Sequence, residues 1–290
     1  MIDISIVILN YKQKGLVKQC IKGIVASRPS ISYEIIVVDN NSGDGALEAV
    51  QDLFKTTTGS QRPATLFDRL QVPRPEIVTI QAGENRGFAV GNNLGIQRCR
   101  GRYVVVMNPD IAIVPGAFEH LVEFMDGQPQ VGICGPKLIN PDGSVQYSCR
   151  RFPNFFVPLY RRTFFGSFKH GQQMLTDYLM RDFNHATNVP VDWLFGACLV
   201  TRRSLIDKIG MFDERFFMYF EDLDWCRRCW AEGFEVYYIA AVELVHYHQR
   251  LSAERSGLFG LFSKAGRIHL ASGIKYFAKY LGVELPKRLH

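Results

Sequence analysis

No apolar run in this 290-residue chain approaches the 18 or so residues that a membrane-spanning helix needs, so we do not expect a spanning segment. The first residues, MIDISIVILNYK, carry no basic stretch ahead of the apolar ones, which favours a first strand over a signal peptide. Seven cysteines are scattered and odd in number, and this favours a reducing compartment over a disulfide scaffold. These absences predict a cytoplasmic protein.

Two phosphate-binding signatures are also missing. There is neither a GxGxxG fingerprint nor a GxxxxGK[ST] loop, and the glycine-rich stretch GENRGFAVGNNLG at 83–95 lacks the lysine of a P-loop. This argues against a dinucleotide-dependent dehydrogenase and against a P-loop NTPase. The net charge of +6 suggests anionic ligands or membranes, but it is too diffuse to indicate a nucleic-acid partner.

The composition and the sequence pattern of the chain are typical of a packed α/β fold. Hydrophobic residues make up 47% of it and charged residues 21%, which predicts a sizeable core. Continuous apolar runs, typical of strands buried on both faces, alternate with helical patterns at 4–9, 34–38, 76–80 and 103–107. This alternation predicts a mostly parallel sheet flanked by helices, with right-handed crossovers.

Polar residues follow three of these runs. Asp39 ends the second, Asn85 lies in the turn after the third, and Asp110 follows the fourth. The carboxyl ends of parallel strands form the ligand-binding edge of open α/β sheets, so we expect these side chains to converge. Asp39 can accept hydrogen bonds from a base or a ribose, and Asp110 can ligate a divalent cation that bridges a diphosphate. A single aspartate of this kind is more often a turn or capping residue.

Two further groups of side chains lie in the second half. Glu221 and Asp222 begin a predicted helix, where acidic residues commonly do no more than complement the helix dipole. His246 and His248 follow a short extended run, and a Cys226-x-x-Cys229 pair precedes them, which raises a zinc site as an alternative. Cysteines three residues apart in an apolar helical stripe fit packing better, and His-x-His lacks the usual finger spacing.

Cations and aromatic residues concentrate in two segments. Residues 150–169 hold five cations and no anion, and residues 256–290 hold six lysines and arginines against one glutamate. One hypothesis is that the aromatics are core and the charges a solvated face. The other is an interfacial helix on an anionic membrane, at the inner face of the cytoplasmic membrane. We predict a helical, basic and amphipathic C-terminal tail from 251 to 290.

The ordered series SIVILNY, VVDNNSGD, NRGFAVGNNLG, MNPD, WLFGACLV, FFMYFEDLDWCRR and LVHYH resembles the family 2 glycosyltransferases. It is most similar to the rhamnosyltransferase-like branch of bacterial surface-polysaccharide synthesis, over roughly residues 3–250. The resemblance implies a GT-A fold over 1–250, with a nucleotide-binding part at about 1–113 and an acceptor and catalytic part at about 114–250. It also implies an inverting sugar transfer that needs Mg²⁺ or Mn²⁺. The donor would be a nucleotide-diphosphate sugar such as dTDP-rhamnose, and the acceptor a saccharide hydroxyl, commonly lipid-linked.

The resemblance also implies site residues. Those of the nucleotide pocket would be Asn10, Asp39, Asp44, Asn85, Arg86 and Asn108. The metal ligands would be Asp110 and His246, with His248 as the alternative histidine. Asp222 would be the catalytic base and Glu221 its partner, although the two roles could be exchanged.

One departure from the family pattern leaves rival functions open. Asn108 stands where the family's Asp-x-Asp metal motif has its first aspartate, which removes one negative charge. A catalytically inactive sugar- or nucleotide-binding subunit would fit that change, while the intact Glu221-Asp222 pair argues against it. A nucleotidyltransferase on a similar sheet would need a basic phosphate loop after the first strand, where the chain has only NYKQK.

Overall fold

A computed structural model describes residues 1–54, 67, 70, 74–162, 164–247 and 263–286. The strands are β1 (Ile4–Asn10), β2 (Tyr33–Asp39), β3 (Glu76–Gln81), β4 (Tyr103–Met107), β5 (Ile111–Ala112), β6 (Val131–Ile139), β7 (Cys149–Arg150), β8 (Val189–Pro190), β9 (Trp193–Leu194), β10 (Cys198–Arg202) and β11 (Glu235–His246). The α-helices are α1 (Lys14–Ala26), α2 (Ala46–Phe54), α3 (Phe88–Ile96), α4 (Ala117–Gly127), α5 (Val157–Arg162), α6 (Lys169–Tyr178), α7 (Arg203–Ile209), α8 (Glu221–Ala231) and α9 (Lys264–Lys279). A short 3₁₀ helix, Phe164–Ser167, lies between α5 and α6.

In the part of the chain that the structure describes, the main sheet has nine strands in the order β3-β2-β1-β4-β10-β6-β11-β5, with β8 pairing beside β11. Its first four strands are parallel, as the alternating pattern predicts. Beyond β4 the sheet is mixed, because β10 runs antiparallel to both β4 and β6 while β6 and β11 are parallel. The same sheet thus continues through both predicted parts of the chain, and the division near residue 113 stays a prediction.

The register brings the ends of the parallel strands level with one another. Asn10 pairs with Asp39, and Asp39 pairs with Gln81 on the next strand. Every residue of β4 is buried, as expected for a central strand with helices on both faces. The polar residues that follow β1 to β4 therefore share one edge of the sheet.

The glycine-rich stretch at 83–95 serves close packing of α3 on the sheet. A Cβ added to Gly91 would lie 2.5 Å from Leu9, and one added to Gly95 would lie 2.4 Å from Val7. Both glycines fall one helical turn apart on the face of α3 that covers β1. They allow the helix backbone to approach the strand, which explains the glycines without a phosphate loop.

The second half confirms one turn and corrects one strand boundary. The sequence Asn-Pro-Asp-Gly at 140–143 predicts a turn, and one forms there, with the N–H of Gly143 donating to the carbonyl of Asn140 at 2.9 Å. The extended runs at 235–239 and 242–245 predict two short strands, but they form one strand, β11, whose register shifts between Ile239 and Glu243. A register shift within one strand, rather than a loop between two strands, therefore accounts for the break in the apolar pattern between Ile239 and Glu243.

The C-terminal tail is helical where it is described. Tyr276 of α9 is 1% exposed, and Lys279 forms ion pairs with Asp213 at 2.7 Å and Asp224 at 2.5 Å. One face of α9 is thus fixed to the region around residues 213 and 224. The described residues do not include the predicted boundary near 250, residues 251–262, residues 287–290 or His248. None of the helices in the described part combines the length and hydrophobicity that crossing a bilayer requires.

Candidate functional site

A hydrogen-bonded polar cluster occupies the ends of β1 and β2. The side-chain amide of Asn10 donates to Asp39 at 2.6 Å, to Ser42 at 2.9 Å and to Asp44 at 3.1 Å. The second carboxylate oxygen of Asp39 accepts from the Ser42 N–H at 3.0 Å and from Gln81 at 3.1 Å. The Ser42 hydroxyl adds a further hydrogen bond, so this carboxylate is firmly held at the ends of the strands.

The charge of Asp39 is secured by the same contacts. Burial alone raises the pKa of this carboxyl, but the hydrogen bonds from Ser42, Asn10 and Gln81 outweigh burial and lower the pKa overall. Asp39 therefore presents an ionised acceptor at the sheet edge, which suits the N–H of a base or the hydroxyl of a ribose.

Two of the residues expected in the nucleotide pocket are held by other groups. Asp44 accepts from the backbone N–H groups of Lys14, at 3.0 Å, and Ala46, at 3.1 Å, so it fixes the starts of α1 and α2. Arg86 is exposed and lies 3.6 Å from Glu84 and 3.9 Å from Glu214. Asp44 thus has a structural role in joining the two helix starts to the strand ends, and Arg86 lies at the solvent-exposed surface.

Asn85 belongs to a second hydrogen-bonded group that includes a residue the sequence reasoning missed. The Asn40 amide donates to Asn85 at 3.0 Å and to the carbonyl of Gly87 at 3.1 Å, and Asn85 accepts from the Gly87 N–H at 3.0 Å. Oδ1 of Asn40 is buried and has no hydrogen-bond partner among the described residues. The only signal for Asn40 in the sequence was its place beside Asp39.

Gly87 also brings the chain before α8 to the same edge. The N–H of Phe88 donates to the carbonyl of Phe217 at 2.6 Å. Gly87 has φ of +98°, and a Cβ at this position would lie 2.1 Å from the Phe217 carbonyl oxygen. Only glycine allows this approach, which links the nucleotide side of the sheet to the segment that leads into Glu221.

Asp110 and His246 meet beyond the end of β4. Nε2 of His246 lies 3.2 Å from Oδ1 of Asp110, and its Nδ1 lies 2.8 Å from Oε1 of Gln146. The amide of Gln146 donates its own hydrogens to Asn140 and to the His246 carbonyl, so Oε1 must accept and Nδ1 must carry a proton. Nε2 therefore faces the Asp110 carboxylate either as a second N–H or as a lone pair.

This arrangement fits a divalent cation. Oδ1 of Asp110 is buried and has no hydrogen-bond partner among the described residues, and Asp110 is 9% exposed. A carboxylate beside an imidazole lone pair is a donor set suited to Mn²⁺. The described part of the chain offers no group of three or more His, Cys, Asp or Glu side chains arranged for a metal, so the remaining ligands would have to come from substrate or water.

Asn108 connects the region around Asp110 and His246 to Asp222, the predicted base. Its backbone N–H donates to the carbonyl of Ala197 at 2.8 Å, and the N–H of the preceding Gly196 donates to Oδ2 of Asp222 at 2.9 Å. The loop between β9 and β10 thus touches the end of β4 on one side and Asp222 on the other. Residues 108 and 222, which are 114 positions apart in the sequence, lie within one short chain of hydrogen bonds.

Glu221 and Asp222 stand in the first turn of α8. The two preceding residues, Tyr219 and Phe220, both have φ of +70°, a conformation that side-chain-bearing residues rarely adopt. Strain of this kind persists where the surrounding structure fixes a functional conformation. Glu221 is 5% exposed, and its Oε2 has no partner among the described residues, whereas Asp222 is half-buried.

The surroundings of the two carboxyl groups shift their pKa values to different extents. Burial and the neighbouring charge of Asp222 raise the pKa of Glu221 well above its ordinary value. Burial raises the pKa of Asp222 as well, and the N–H groups of Gly196 and Leu223 and the charge of Arg150 only partly offset this rise. Asp222, which has these stabilising partners, is therefore the better candidate of the two for a proton acceptor.

The zinc alternative finds no support in the described structure. Cys226 and Cys229 are fully buried in the hydrophobic core, and burial raises the pKa of both thiols. A buried thiol in apolar surroundings is poorly suited to form the thiolate that zinc requires. Their helical spacing reflects packing.

The comparison with protein families agrees with the ordered motifs. The model of the family described as Glycosyl transferase family 2 matches residues 5–210. The chain belongs to glycosyl transferase family 2. The resemblance inferred from the ordered motifs is thereby confirmed.

Several curated members of this family are similar in sequence. The N-acetylglucosaminyl-diphospho-decaprenol L-rhamnosyltransferase of Mycobacterium tuberculosis is 28% identical over 224 residues, or 73% of this chain and 66% of the relative. Rhamnosyltransferase WbbL of Escherichia coli is 26% identical over 67% of this chain and 70% of the relative. The low-salt glycan biosynthesis hexosyltransferase Agl10 of Haloferax volcanii is 26% identical over 84% of this chain and 67% of the relative. The chain spans about two thirds of the length of these relatives.

Solved structures confirm the GT-A-like fold. The mannosyltransferase PcManGT of Pyrobaculum calidifontis, in complex with GDP-Man and Mn²⁺, superposes with a TM-score of 0.54 at 14% identity, over 97% of this chain and 75% of that one. Residues 1–349 of S. aureus TarS give a TM-score of 0.53 at 13% identity, over 99% of this chain and 76% of that one. At such identities the likeness concerns the fold alone.

Proposed function

We propose that this glycosyl transferase family 2 protein moves a sugar from a nucleotide-diphosphate donor to a saccharide hydroxyl by a single, inverting displacement. The observation that carries the proposal is the junction of Asn108, the Gly196–Ala197 backbone and Asp222, which joins the strand edge to a half-buried carboxylate. A donor bound along the strand ends and an acceptor bound beside α8 would meet at this junction.

The donor half of the proposed site consists of residues from the ends of β1 to β4. Asp39 would accept a hydrogen bond from the base or ribose, in place of one of its present donors or beside them, and Asn85, with Asn40 behind it, would border the nucleotide. Asn108 and Asp110 follow β4, where the diphosphate would lie. A divalent cation held by Asp110 and His246 would stabilise the negative charge that develops on the departing diphosphate.

Asp222 supplies the proton acceptor. A hydroxyl has a high pKa and must lose its proton as it attacks the sugar, so a carboxylate within hydrogen-bond reach is needed. Asp222 is half-buried, the Gly196 N–H fixes its orientation, and it would act in its ionised form. Burial raises the pKa of Glu221, and in its protonated form Glu221 can donate a hydrogen bond to the same hydroxyl or to its neighbour on the acceptor ring.

The relatives' names narrow the choice of substrates. Two of them are rhamnosyltransferases, and the mycobacterial relative is named for an acceptor with a diphosphate-linked lipid. We infer that the sugar is rhamnose, carried on dTDP, and that the acceptor is lipid-linked and serves cell-surface polysaccharide synthesis. PcManGT and GalNAc-T7, whose structures contain Mn²⁺ with a nucleotide or a nucleotide sugar, support the proposed divalent metal.

An exposed aromatic surface supports contact with an anionic membrane. Five phenylalanines just before α5 or between α5 and α6 are exposed: Phe155, Phe156, Phe164, Phe165 and Phe168. Phe155 contacts Phe277 of α9, which joins this surface to the exposed Leu270 and Ile274 of that helix. The exposed cations Arg161 and Lys169 flank the phenylalanines, and no acidic residue lies between 150 and 169. Aromatic side chains with cations suit the interface of an anionic bilayer, which would place a lipid-linked acceptor near the site.

The membrane proposal is tested by flotation with liposomes. We expect the protein to float with vesicles that contain anionic lipid and to remain soluble with neutral ones. The double variant Arg161→Glu with Lys169→Glu should lose most of the flotation while its thermal stability is unchanged. Equal recovery in the soluble fraction with both kinds of vesicle would rule out this part of the proposal.

The function itself is tested by a thermal-shift panel of nucleotide sugars with Mn²⁺ or Mg²⁺. A ligand that binds only the folded protein raises its apparent stability by mass action, so the correct donor should stand out. Release of the nucleotide diphosphate in the presence of acceptor extracts then reports turnover. Donor binding without any turnover would favour an inactive binding subunit, and a nucleoside triphosphate preferred over every nucleotide sugar would favour a nucleotidyltransferase.

A further inference from the structure

Arg150, on β7, is a buried cation without a carboxylate in ion-pair contact among the described residues. It is 7% exposed, and its guanidinium lies over the rings of Phe195, at 4.0 Å, and Trp193, at 5.3 Å. Its hydrogen bonds are long ones, from Nε to the Tyr147 carbonyl at 3.3 Å and from Nη1 to the Tyr178 hydroxyl at 3.4 Å. Burial lowers its pKa to about 10, which leaves it protonated at neutral pH.

A buried charge of this kind needs compensation, because removal from water costs several kilocalories per mole that neutral contacts only partly return. The aromatic faces around Arg150 supply cation–π attraction. They do not neutralise the charge. A nearby anion is therefore expected.

The position of Arg150 identifies that anion. Phe195, on which the guanidinium packs, immediately precedes Gly196, and the Gly196 N–H donates to Asp222 at 2.9 Å. Arg150 and Asp222 attract each other across this loop, and the attraction partly offsets the rise that burial causes in the pKa of the Asp222 carboxyl. The neighbouring carboxyls have other environments or partners: burial raises the pKa of Glu221 further, Asp224 is bound by Arg228 and Lys279, and Asp192 accepts from the Phe152 N–H at 2.6 Å.

We propose that Arg150 is the buried counter-charge of Asp222, a positioning residue that keeps this carboxylate ionised for the proton-accepting step. The purpose of the pair rests on the proposed function, whereas the charge coupling itself is a property of the protein without substrate. Arg150 thus acts through Asp222 and need not touch the sugar.

The coupling is measured directly by carbon-13 NMR on protein labelled at the aspartate side-chain carboxyl. The signal that disappears in Asp222→Asn belongs to Asp222, and its titration is followed in the unmodified protein and in Arg150→Met. Methionine retains an apolar chain among the aromatic rings, so the fold should survive, and far-ultraviolet circular dichroism verifies this. Arg150→Lys retains the charge, and Arg181→Gln removes an exposed arginine as the matched control.

We expect the titration midpoint of Asp222 to rise by about 1 pH unit or more in Arg150→Met, as loss of an opposite charge at short range requires. Arg150→Lys should restore most of the original midpoint, and Arg181→Gln should leave it unchanged. An unchanged midpoint in folded Arg150→Met would overturn the proposal. If Arg150→Met does not fold, Arg150→Gln replaces it, and the same outcomes apply.

The pH profile of turnover separates this inference from the proposed function. When Arg150→Met is assayed, the acidic limb should move to higher pH by the same amount as the NMR midpoint. A higher KM for the acceptor with no movement of either quantity would make Arg150 a substrate-binding group and overturn its role as a counter-charge. A shifted midpoint in a protein that turns over no nucleotide sugar would confirm the coupling and contradict only the proposed function.

Discussion

The backbone N–H of Gly196 donates a 2.9 Å hydrogen bond to Oδ2 of Asp222, and the next residue, Ala197, accepts one from the N–H of Asn108 at 2.8 Å. This relationship joins the first turn of α8 to the end of the central strand β4. It places the proposed base beside the position where a donor's diphosphate would lie. The predictions below test what each side of this junction does.

Asp222→Asn should abolish turnover and leave donor binding nearly intact. The amide cannot take up the acceptor proton, and loss of a general base commonly lowers rates by about 10²- to 10⁴-fold. Steady-state kinetics and donor titration calorimetry measure the two effects. Asp207→Asn, on the exposed face of α7, is the matched control. Weakened binding with retained turnover would overturn the role of Asp222.

Asp110→Asn should weaken donor binding only when the metal is present. Losing the charge that faces His246 at 3.2 Å removes one of two protein ligands, and we expect Mn²⁺-dependent donor affinity to fall by about tenfold or more. Titrations with Mn²⁺ and with EDTA give the comparison. If the unmodified protein binds donor and turns over equally in EDTA, the metal assignment is wrong.

Glu221→Gln should change how stability depends on pH. The pKa of Glu221 is raised in the folded protein, so its contribution to stability is complete below about pH 4, near the unfolded pKa, and is lost as the pH rises through the folded value. The neutral amide has no such loss, so the stability of Glu221→Gln relative to the unmodified protein should increase from pH 5 to pH 8. Urea unfolding at several pH values measures this. A stability difference that does not vary with pH would mean that Glu221 is not held protonated.

Gly87→Ala should destabilise the protein and disturb the nucleotide edge. Alanine is strained at φ of +98°, and its Cβ would lie 2.1 Å from the Phe217 carbonyl oxygen, so the contact between Phe88 and Phe217 must open. We expect a loss of about 2 kcal/mol or more. Gly23→Ala, in α1 with open space around it, should be neutral or slightly stabilising. Equal melting temperatures for the two variants would contradict the close approach.

Much of this site follows from strand-end chemistry. Asp39, Asn85 and Asp110 were predicted because polar residues after parallel strands must share one edge, and the parallel pairing of β1 with β2 and β4 and of β2 with β3 brings the ends of those strands to one edge. The role of Glu221 and Asp222 could not be predicted in the same way, because acidic residues are common in the first turn of a helix. Only the ordered family motifs selected it.

Other parts depend on contacts that no local pattern encodes. Gln146, which fixes the tautomer of His246, lies 100 residues before it, and Arg150 meets the loop of Asp222 only through folding. The pattern placed Lys279 on a solvated basic face, yet Asp213 and Asp224 bind it and hold α9 against the region that leads into and begins α8. Periodicity shows which face a residue occupies, but it does not show which distant side chain will meet it.

The most direct test of sugar transfer by single displacement is the anomeric configuration of the product. The donor that stabilises the protein is incubated with Mn²⁺ and an accepting saccharide, and NMR compares the anomeric centre of the donor with that of the new glycoside. One base acting at Asp222 and no covalent intermediate predict inversion. Retention of the donor's configuration would contradict the account.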